Sequence, residues 1–191
     1  MLTMDEVPAP KTAARHTTIA SGLGDLTVVG RGGIVVGLYF PHHWYRPDPA
    51  GFGPRDDAGF EDVRDQIGEY LAGDRQEFEV PIATGGDEYQ ERVWDLVRQI
   101  PYGETATYGD LARQLGDDTT PQEVGAAVGR NPVCLLVPCH RVVGAGGKLT
   151  GTPLAWLASS SCSTWKPTSR AERAGCSEGA HVPSRRSVYM A

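Results

Sequence analysis

The first part of the chain alternates apolar stretches with glycine-containing turns. Residues 17–40 read TTIASGLGDLTVVGRGGIVVGLYF, which predicts two or three short strands joined by hairpins with Gly-Asp and Gly-Gly in the turns. In residues 60–73, FEDVRDQIGEYLAG, apolar positions recur every three or four residues before a final glycine, which predicts a helix. Residues 76–83 alternate again and predict one more strand. Residues 17–84 therefore have the pattern of a small α+β unit.

Three helical patterns follow the polar stretch TGGDE. YQERVWDLVRQI (89–100) has an apolar stripe that ends before Pro101, YGDLARQLG (108–116) ends at a glycine, and PQEVGAAVG (121–129) follows DDTT, whose Asp and Thr residues are candidate N-caps. Two short helices separated by a tight polar turn are typical of a helix-turn-helix. The small residues of the last helix, Gly125 among them, favour close packing against a neighbouring element or a nucleic-acid backbone.

Composition and charge narrow the class of protein only slightly. The chain has 191 residues, enough for one good-sized domain or two small ones. Its longest apolar run is far short of the roughly 20 residues of a membrane span. Residues 1–16 lack the apolar region of a secretory signal and are predicted to be a disordered lead-in. Four cysteines without a CxxC pair favour the reducing cytoplasm, and a net charge of −6 argues mildly against a general nucleic-acid binder without excluding a local basic patch.

A thiol and an imidazole interrupt an apolar run in LLVPCHRVV, residues 135–143. The run predicts a buried strand, on which Cys139 and His140 would point to opposite faces unless the backbone turns at Pro138. An activated thiolate nucleophile is one interpretation. A buried structural cysteine, a metal site that includes Cys134 and a redox thiol paired with Cys134 stay open. A fourth metal ligand is missing, however, and a five-residue spacing along a strand suits a disulfide poorly.

The segment RNPVCLLVPCHRVVGAGGKLTG, residues 130–151, resembles the active-site segment of the O6-alkylguanine-DNA alkyltransferases, also called methylated-DNA–protein-cysteine methyltransferases. The resemblance lies in the PCHR tetrapeptide within apolar flanks and in the Asn-Pro upstream of it, and it extends over roughly residues 17–151. It implies an α/β (α+β) fold. A ribonuclease-H-like subdomain of a small sheet plus a helix (17–84) would be followed by a helix-turn-helix, winged-helix-like subdomain (85–151).

The resemblance also implies roles for individual residues. Cys139 would accept the alkyl group, His140 would take the thiol proton through a water, and Asn131 would orient this region. The residues expected to contact DNA or the flipped guanine are Tyr108, Gln122, Gly125, Arg130 and Val142. Gln122 stands where the family usually has an arginine that fills the gap left by the flipped base, which puts that subsite in doubt.

The function implied is DNA repair by irreversible, single-turnover transfer of an alkyl group from O6-alkylguanine to Cys139. The expected partner is double-stranded DNA that contains O6-alkylguanine. We expect a cytoplasmic monomer that associates with the nucleoid when on DNA, with no cofactor, metal or membrane contact. The alternative is a DNA-binding protein that recognises alkylguanine but transfers weakly or not at all.

The family pattern breaks after Gly151, and residues 152–191 are predicted to be an aberrant, disordered tail. When GTPLAWLASSSCSTWKP is read as degenerate codons from the third base of the Gly151 codon, the codons permit Tyr-Ala-Ala-Gly-Leu-Ala-Arg-Lys-Leu-Phe-Leu-Leu-Asp-Leu-Glu-Ala, the segment the family has here. We therefore predict a frameshift at Thr152. The substrate-loop tyrosine would fall at Thr152, and the glutamate that holds the catalytic histidine at Lys166. Slow or absent transfer and a marginally stable fold are expected as a result.

Overall fold

The computed structural model describes residues 12–41, 43, 45–116 and 118–146. In chain order its elements are β1 (Arg15–Ser21), β2 (Gly24–Arg31), β3 (Ile34–Tyr39), α1 (Glu61–Ala72), α2 (Glu88–Arg98), β4 (Ala106–Thr107), α3 (Tyr108–Leu115), α4 (Pro121–Gly129) and β5 (Val142–Val143), with short 3-10 helices at Pro49–Phe52 and Cys139–Arg141. The predicted mixed α/β fold is confirmed. The predicted tail, residues 152–191, and residues 1–11 of the predicted lead-in lie outside the described residues.

Strands β1, β2 and β3 form one antiparallel sheet in that order, joined by the predicted hairpins. The first hairpin turns at Gly22 and Leu23, however, and the Gly-Asp pair predicted for the turn is the start of β2. The second hairpin turns at Gly32 and Gly33, with φ of 57° and 84°. A type I′ turn requires positive φ at both central residues, and glycine adopts it without strain. Strand β1 already starts at Arg15, so residues 15 and 16 belong to the sheet and not to the lead-in, because both pair with β2 across the ladder.

Residues 76–83 do not form the predicted strand. Within the described residues they make a single bridge, between Ile82 and Val35 of β3. The Val35 N–H donates to the Pro81 carbonyl (2.9 Å), and the Ala83 N–H donates to the Val35 carbonyl (3.0 Å). Pro81 has no N–H with which to extend the pairing. The alternating pattern therefore belongs to a segment that lies along the sheet edge without becoming a full strand.

The four predicted helices are confirmed, and their ends have the expected chemistry. Helix α1 ends at Gly73, which adopts the left-handed conformation (φ 86°) that suits a C-cap glycine. Helices α2, α3 and α4 each begin with a capping box, and the N-cap residues are Asp87, Thr107 and Thr120. Pro121 occupies the first turn of α4, where its missing N–H costs nothing.

One hydrophobic core runs through the sheet and the helices. It includes Leu38 of β3, Val93 of α2 and Val133 of the segment that leads to the Cys-His pair, all of them inaccessible to solvent. The buried Trp94 Nε1 donates to the Ala127 carbonyl (2.9 Å) and so joins α2 to α4. Among the described residues, no helix combines the length and the apolar character needed to cross a membrane.

Candidate active site

Asn131 organises the segment that precedes the Cys-His pair. Its side chain is fully buried; Oδ1 accepts a hydrogen bond from the Val133 N–H (3.0 Å), and Nδ2 donates to the Val137 carbonyl (2.9 Å). The Val137 N–H donates back to the Val133 carbonyl (3.0 Å). These hydrogen bonds replace the inter-strand bonds that a strand would make here. The predicted strand over 135–143 is therefore wrong except at its end, where β5 forms. A short buried apolar run does not by itself distinguish the two structures.

The backbone turns at Pro138. Its φ of −79° and ψ of 61° are those of an inverse γ-turn, and the Cys139 N–H donates to the Val137 carbonyl across it (2.8 Å). One 3-10 turn, Cys139–Arg141, follows. Cys139 and His140 therefore do not alternate between two faces as they would on a strand.

Both ends of this segment are attached to regular structure. The Leu38 N–H of β3 donates to the Pro132 carbonyl (2.8 Å). On the other side, Val142 of β5 pairs with Ala106 of β4, directly ahead of α3, and the Val142 N–H donates to the Cys139 carbonyl. The thiol thus lies between the N-terminal sheet and the start of α3.

The Cys139 thiol is buried in surroundings that favour its ionised form. Its side chain is 1% exposed, and its sulfur lies 3.6 Å from the Cys134 sulfur. The hydrogen bond with Cys134 lowers the pKa of Cys139, and burial opposes that change. Hydrogen bonds from the Asn131 side chain and from the N–H groups of Cys139 and His140 lower the pKa further. The net effect is a lowered pKa for Cys139, which favours the nucleophilic thiolate.

The His140 imidazole is neutral at physiological pH. Its Nε2 atom lies 2.8 Å from the Tyr70 hydroxyl of α1, while Nδ1 is buried and has no hydrogen-bond partner among the described residues. Burial, with a further contribution from the Arg141 guanidinium, lowers the pKa of His140 to about 3. In this environment the ring is a weak proton acceptor.

Arg141 connects the 3-10 turn to the rest of the molecule. Its guanidinium donates to the Ile100 carbonyl (2.6 Å) and to the Tyr70 hydroxyl (3.4 Å), and it lies over the Tyr102 ring, 5.6 Å from the centroid. Burial raises the pKa of Tyr70, so its hydroxyl stays protonated. Tyr70 therefore contacts two consecutive residues of the active-site turn.

Two of the predicted DNA- or substrate-contacting residues, Tyr108 and Val142, lie close to Cys139, and a third, Gly125, adjoins Tyr108. Tyr108 is the first residue of α3, and burial together with the nearby Cys139 raises its pKa to about 12. A Cβ at Gly125 of α4 would lie 3.8 Å from the Tyr108 ring, so this small-residue face of α4 adjoins the ring. Val142 is fully buried and bonds the Cys139 carbonyl, as described above.

Gln122 lies at the start of α4, and Arg130 is its C-cap residue. Both are exposed; Gln122 is in the first turn of α4, and the Arg130 guanidinium lies over the Tyr45 ring, 5.8 Å from the centroid. Among the described residues, no hydrogen bond, ion pair or ring contact joins either side chain to Cys139. The structure therefore does not bring these two predicted residues to the site.

Sequence reasoning missed two residues of this site, Tyr70 and His43, and considered a third, Cys134, only as a metal ligand or a redox partner. The sequence predicts Tyr70 only as a core position of a helix, and His43, whose Nδ1 lies 3.8 Å from the Cys134 sulfur, carries no signal at all. Cys134 is close to Cys139 because the segment between them is not a strand. The argument that a five-residue spacing keeps the two thiols apart was therefore wrong. No group of three or more His, Cys, Asp or Glu side chains that could hold a metal occurs in the described part of the chain.

Comparison with known proteins matches two family models along the chain. Residues 14–84 match the model described as "6-O-methylguanine DNA methyltransferase, ribonuclease-like domain", and residues 88–166 match "6-O-methylguanine DNA methyltransferase, DNA binding domain". The second match extends beyond Gly151, where the family pattern is expected to break.

Individual relatives agree with these models. The methylated-DNA–protein-cysteine methyltransferase of Mycobacterium tuberculosis is 42% identical over 136 residues, which are 71% of this chain and 82% of the relative. The inducible enzyme of the same name from Bacillus subtilis is 40% identical over 134 residues, 70% of this chain and 74% of the relative. The crystal structure of Mycobacterium tuberculosis OGT in complex with DNA matches with a TM-score of 0.68 at 41% identity, covering 72% of this chain and 84% of that one.

Proposed function

Because this chain belongs to the methylated-DNA–protein-cysteine methyltransferase family, we propose that it repairs DNA by taking an alkyl group from O6-alkylguanine onto its own Cys139. DNA is the partner: a relative has been crystallised in complex with DNA, and residues 88–166 match a DNA-binding domain. The alkylated base must leave the duplex to reach a buried thiol. We further propose that the protein acts as a monomer on double-stranded DNA.

The transfer is a nucleophilic displacement at the alkyl carbon. The Cys139 thiolate attacks that carbon, a carbon–sulfur bond forms, and the bond from the carbon to guanine O6 breaks. The electron pair of the broken bond leaves with guanine, which takes up one proton. The products are S-alkylcysteine and unmodified guanine, and no cofactor enters the balance. Because the thioether no longer offers a thiolate, each protein molecule reacts once.

The observation that carries this proposal is the set of hydrogen-bond donors around Cys139. A cysteine that only fills an apolar core has a raised pKa and is inert. Here the Cys134 thiol, the Asn131 amide and two backbone N–H groups lower the pKa of Cys139 despite complete burial. These donors would stabilise the charge of a thiolate and have no function for a neutral core thiol.

We assign His140 the role of accepting the thiol proton, through a water, at its unpaired Nδ1 atom. Two features make this base weak. Its pKa is about 3, and among the described residues the Tyr70 hydroxyl is its one hydrogen-bond partner. The resemblance places a supporting glutamate at Lys166, which lies outside the described residues and carries the opposite charge. We therefore expect slow transfer, limited by loss of the thiol proton.

We infer that α4 is the helix presented to the DNA. Gln122 is exposed in its first turn, where it would fill the space of the flipped base without adding charge. Arg130, exposed just after the helix, would supply a phosphate contact. Tyr108 and Gly125 would face the rotated nucleotide between this helix and the thiol. Loss of a positive charge at Gln122 is expected to weaken DNA affinity relative to family members with arginine there.

A single-turnover assay tests the function. The protein is incubated with a duplex that contains one O6-methylguanine and is then digested for mass spectrometry. We expect one methyl group per protein molecule on the Cys139 peptide, none with Cys139→Ser, and none from an unmodified duplex. Retention of the modified duplex without S-methylation would contradict transfer and support the alternative, a binding protein that recognises alkylguanine.

The reading frame after Gly151 has its own test. Resequencing the gene around the Gly151 codon shows whether one reproducible frame runs to residue 191. A chain with the alternative frame restored regains the glutamate at position 166, and we expect it to transfer at least about tenfold faster. Equal rates for the two chains would contradict the predicted impairment.

A further inference from the structure

A second thiol lies directly against the acceptor. The Cys134 and Cys139 sulfur atoms are 3.6 Å apart, and each side chain is 1% exposed. The bonds of Asn131 and the γ-turn at Pro138 fold the intervening segment back so that the two side chains meet. While both thiols are protonated, either one can donate to the other.

We propose that Cys134 is a positioning residue for the alkyl transfer proposed above: once Cys139 has lost its proton, the Cys134 S–H group donates to the Cys139 sulfur and stabilises the thiolate. The direction of this bond follows from the proton count, since a thiolate has no hydrogen to donate. The role in transfer rests on the proposed function, whereas the hydrogen bond itself requires neither DNA nor substrate.

The surroundings of Cys134 keep its proton in place. Its sulfur lies 3.7 Å from the Asn131 carbonyl oxygen, which can accept the S–H hydrogen, and 3.8 Å from His43 Nδ1. The hydrogen bond with Cys139, together with burial, raises the pKa of Cys134 well above its usual value, whereas the same bond lowers the pKa of Cys139. The two thiols therefore ionise in a fixed order, with Cys139 first.

In the part of the chain that the structure describes, the histidines and tyrosines near the pair do not ionise in the range where thiols do. The titratable and charged residues among them that face the two thiols or their contacts are Tyr39, His43, Arg46, Tyr70, Tyr108, His140 and Arg141. The histidine pKa values are about 4 for His43 and about 3 for His140, that of Tyr108 is about 12, and those of the other two tyrosines are raised above 10.0. A titration between roughly pH 5 and pH 9 therefore reports on the thiols.

The test is the rate at which iodoacetamide alkylates Cys139 as a function of pH, followed by mass spectrometry of the Cys139 peptide. The thiolate forms a carbon–sulfur bond with the reagent and iodide leaves, so the rate reports the thiolate fraction without DNA. Cys134→Val removes the donor. We expect the midpoint of the plot of alkylation rate against pH to rise by about one pH unit, and alkylation at pH values below that midpoint to slow about tenfold. Cys134→Ser retains a hydroxyl donor and is expected to keep a midpoint near that of the unsubstituted protein.

Val133→Ala is the matched control, because it removes buried volume beside Cys134 without removing a donor. Its midpoint is expected to stay unchanged even if its melting temperature falls. Circular dichroism melts establish that each variant is folded, and Cys134→Ala replaces Cys134→Val if the valine variant does not fold. An unchanged midpoint after loss of the Cys134 thiol, or an equal shift in Val133→Ala, overturns the proposal.

The same variants, assayed with the O6-methylguanine duplex, separate this inference from the function on which it rests. We expect Cys134→Val to slow transfer by the same factor as it slows iodoacetamide alkylation, with the affinity for the duplex unchanged. Transfer that does not slow despite a shifted midpoint overturns the role of Cys134 in transfer. A shifted midpoint with no transfer by any variant or by the unsubstituted protein overturns the proposed function and leaves the hydrogen bond standing.

Discussion

The N-terminal sheet and the segment around Cys139 differ in how their backbone N–H and C=O groups find hydrogen-bond partners. Strands β1 to β3 do so through ladder bonds that are independent of side-chain identity. The active-site segment depends on one buried amide, Asn131, on a γ-turn at Pro138 and on Leu135 in the left-handed conformation (φ 72°). We infer that substitutions in the sheet alter mainly stability, whereas single substitutions in the active-site segment alter the chemistry.

Asn131→Ala should have the largest effect. It leaves the buried Val133 N–H without an acceptor, at a cost of roughly 1–3 kcal/mol, whereas the Val137 carbonyl keeps its bond from the Cys139 N–H. It also removes a donor to the Cys139 sulfur, so we expect transfer to slow by about 10²-fold. Single-turnover kinetics and urea unfolding measure the two effects. Asn131→Asp is the control: it keeps the acceptor for Val133 but places a negative charge near the thiolate, and should recover stability more than rate.

Leu38→Ala tests the opposite side of the comparison. The side chain is fully buried in the sheet, so its truncation should lower the free energy of unfolding by about 2–5 kcal/mol. The Leu38 N–H still donates to the Pro132 carbonyl, and the transfer rate of the folded protein should not change. Urea unfolding and single-turnover kinetics under native conditions check this, with Leu38→Met as the control of similar volume. A fall in rate as large as that of Asn131→Ala would refute the division between stability and chemistry.

Acid should weaken the fold through the histidines beside the two thiols. The pKa of His43 is lowered to about 4 and that of His140 to about 3, from an ordinary 6.5, mainly by burial. At these pH values the two histidines are protonated in the unfolded chain but stay neutral in the folded chain. The free energy of unfolding should fall as the pH falls from about 6.5 towards 4, by at most about 1.4 kcal/mol per pH unit for each histidine.

Urea unfolding at several pH values measures this slope. His43→Gln should flatten it by removing one of the two contributions. A slope near zero between about pH 6.5 and pH 4 in the unsubstituted protein would show that neither ring stays neutral in the folded state. Below that range the carboxyl groups with lowered pKa, Asp56 and Asp110 among them, begin to contribute as well.

Gly33→Ala should have the smallest effect. A Cβ at this position meets no atom within 4 Å, so the change adds only the strain of a side chain at φ 84°, about 1 kcal/mol. The thermal midpoint should fall slightly, and both the transfer rate and its pH dependence should be unchanged. Gly22→Ala, also in open space but not in the left-handed conformation, is the matched control. A change in transfer rate would indicate that the conformation of this hairpin affects the reactivity of Cys139.

The predictions from sequence succeed where local chemistry decides the structure. Capping residues such as Thr120, the glycines at 32 and 33 and the helix stop at Gly73 act within a few residues, so their patterns are readable from the chain. Two predicted strands fail for different reasons. Residues 76–83 alternate as a strand does, but Pro81 limits their pairing. The strand predicted over 135–143 fails in its first part, because residues 135–137 are apolar and buried, and that pattern does not separate a strand from a folded-back segment.

The sequence by itself determined the order of the helices, the resemblance carried by PCHR and the prediction that Cys139 is the reactive thiol. Only the tertiary structure decided what surrounds that thiol. Tyr70 reaches His140 across 70 positions of the chain and His43 reaches Cys134 across 91, distances over which no local pattern operates. Cys134 is close in sequence, yet its contact with Cys139 depends on how Asn131 folds the backbone between them. Burial then sets the charge state of each group, and burial is a property of the whole fold.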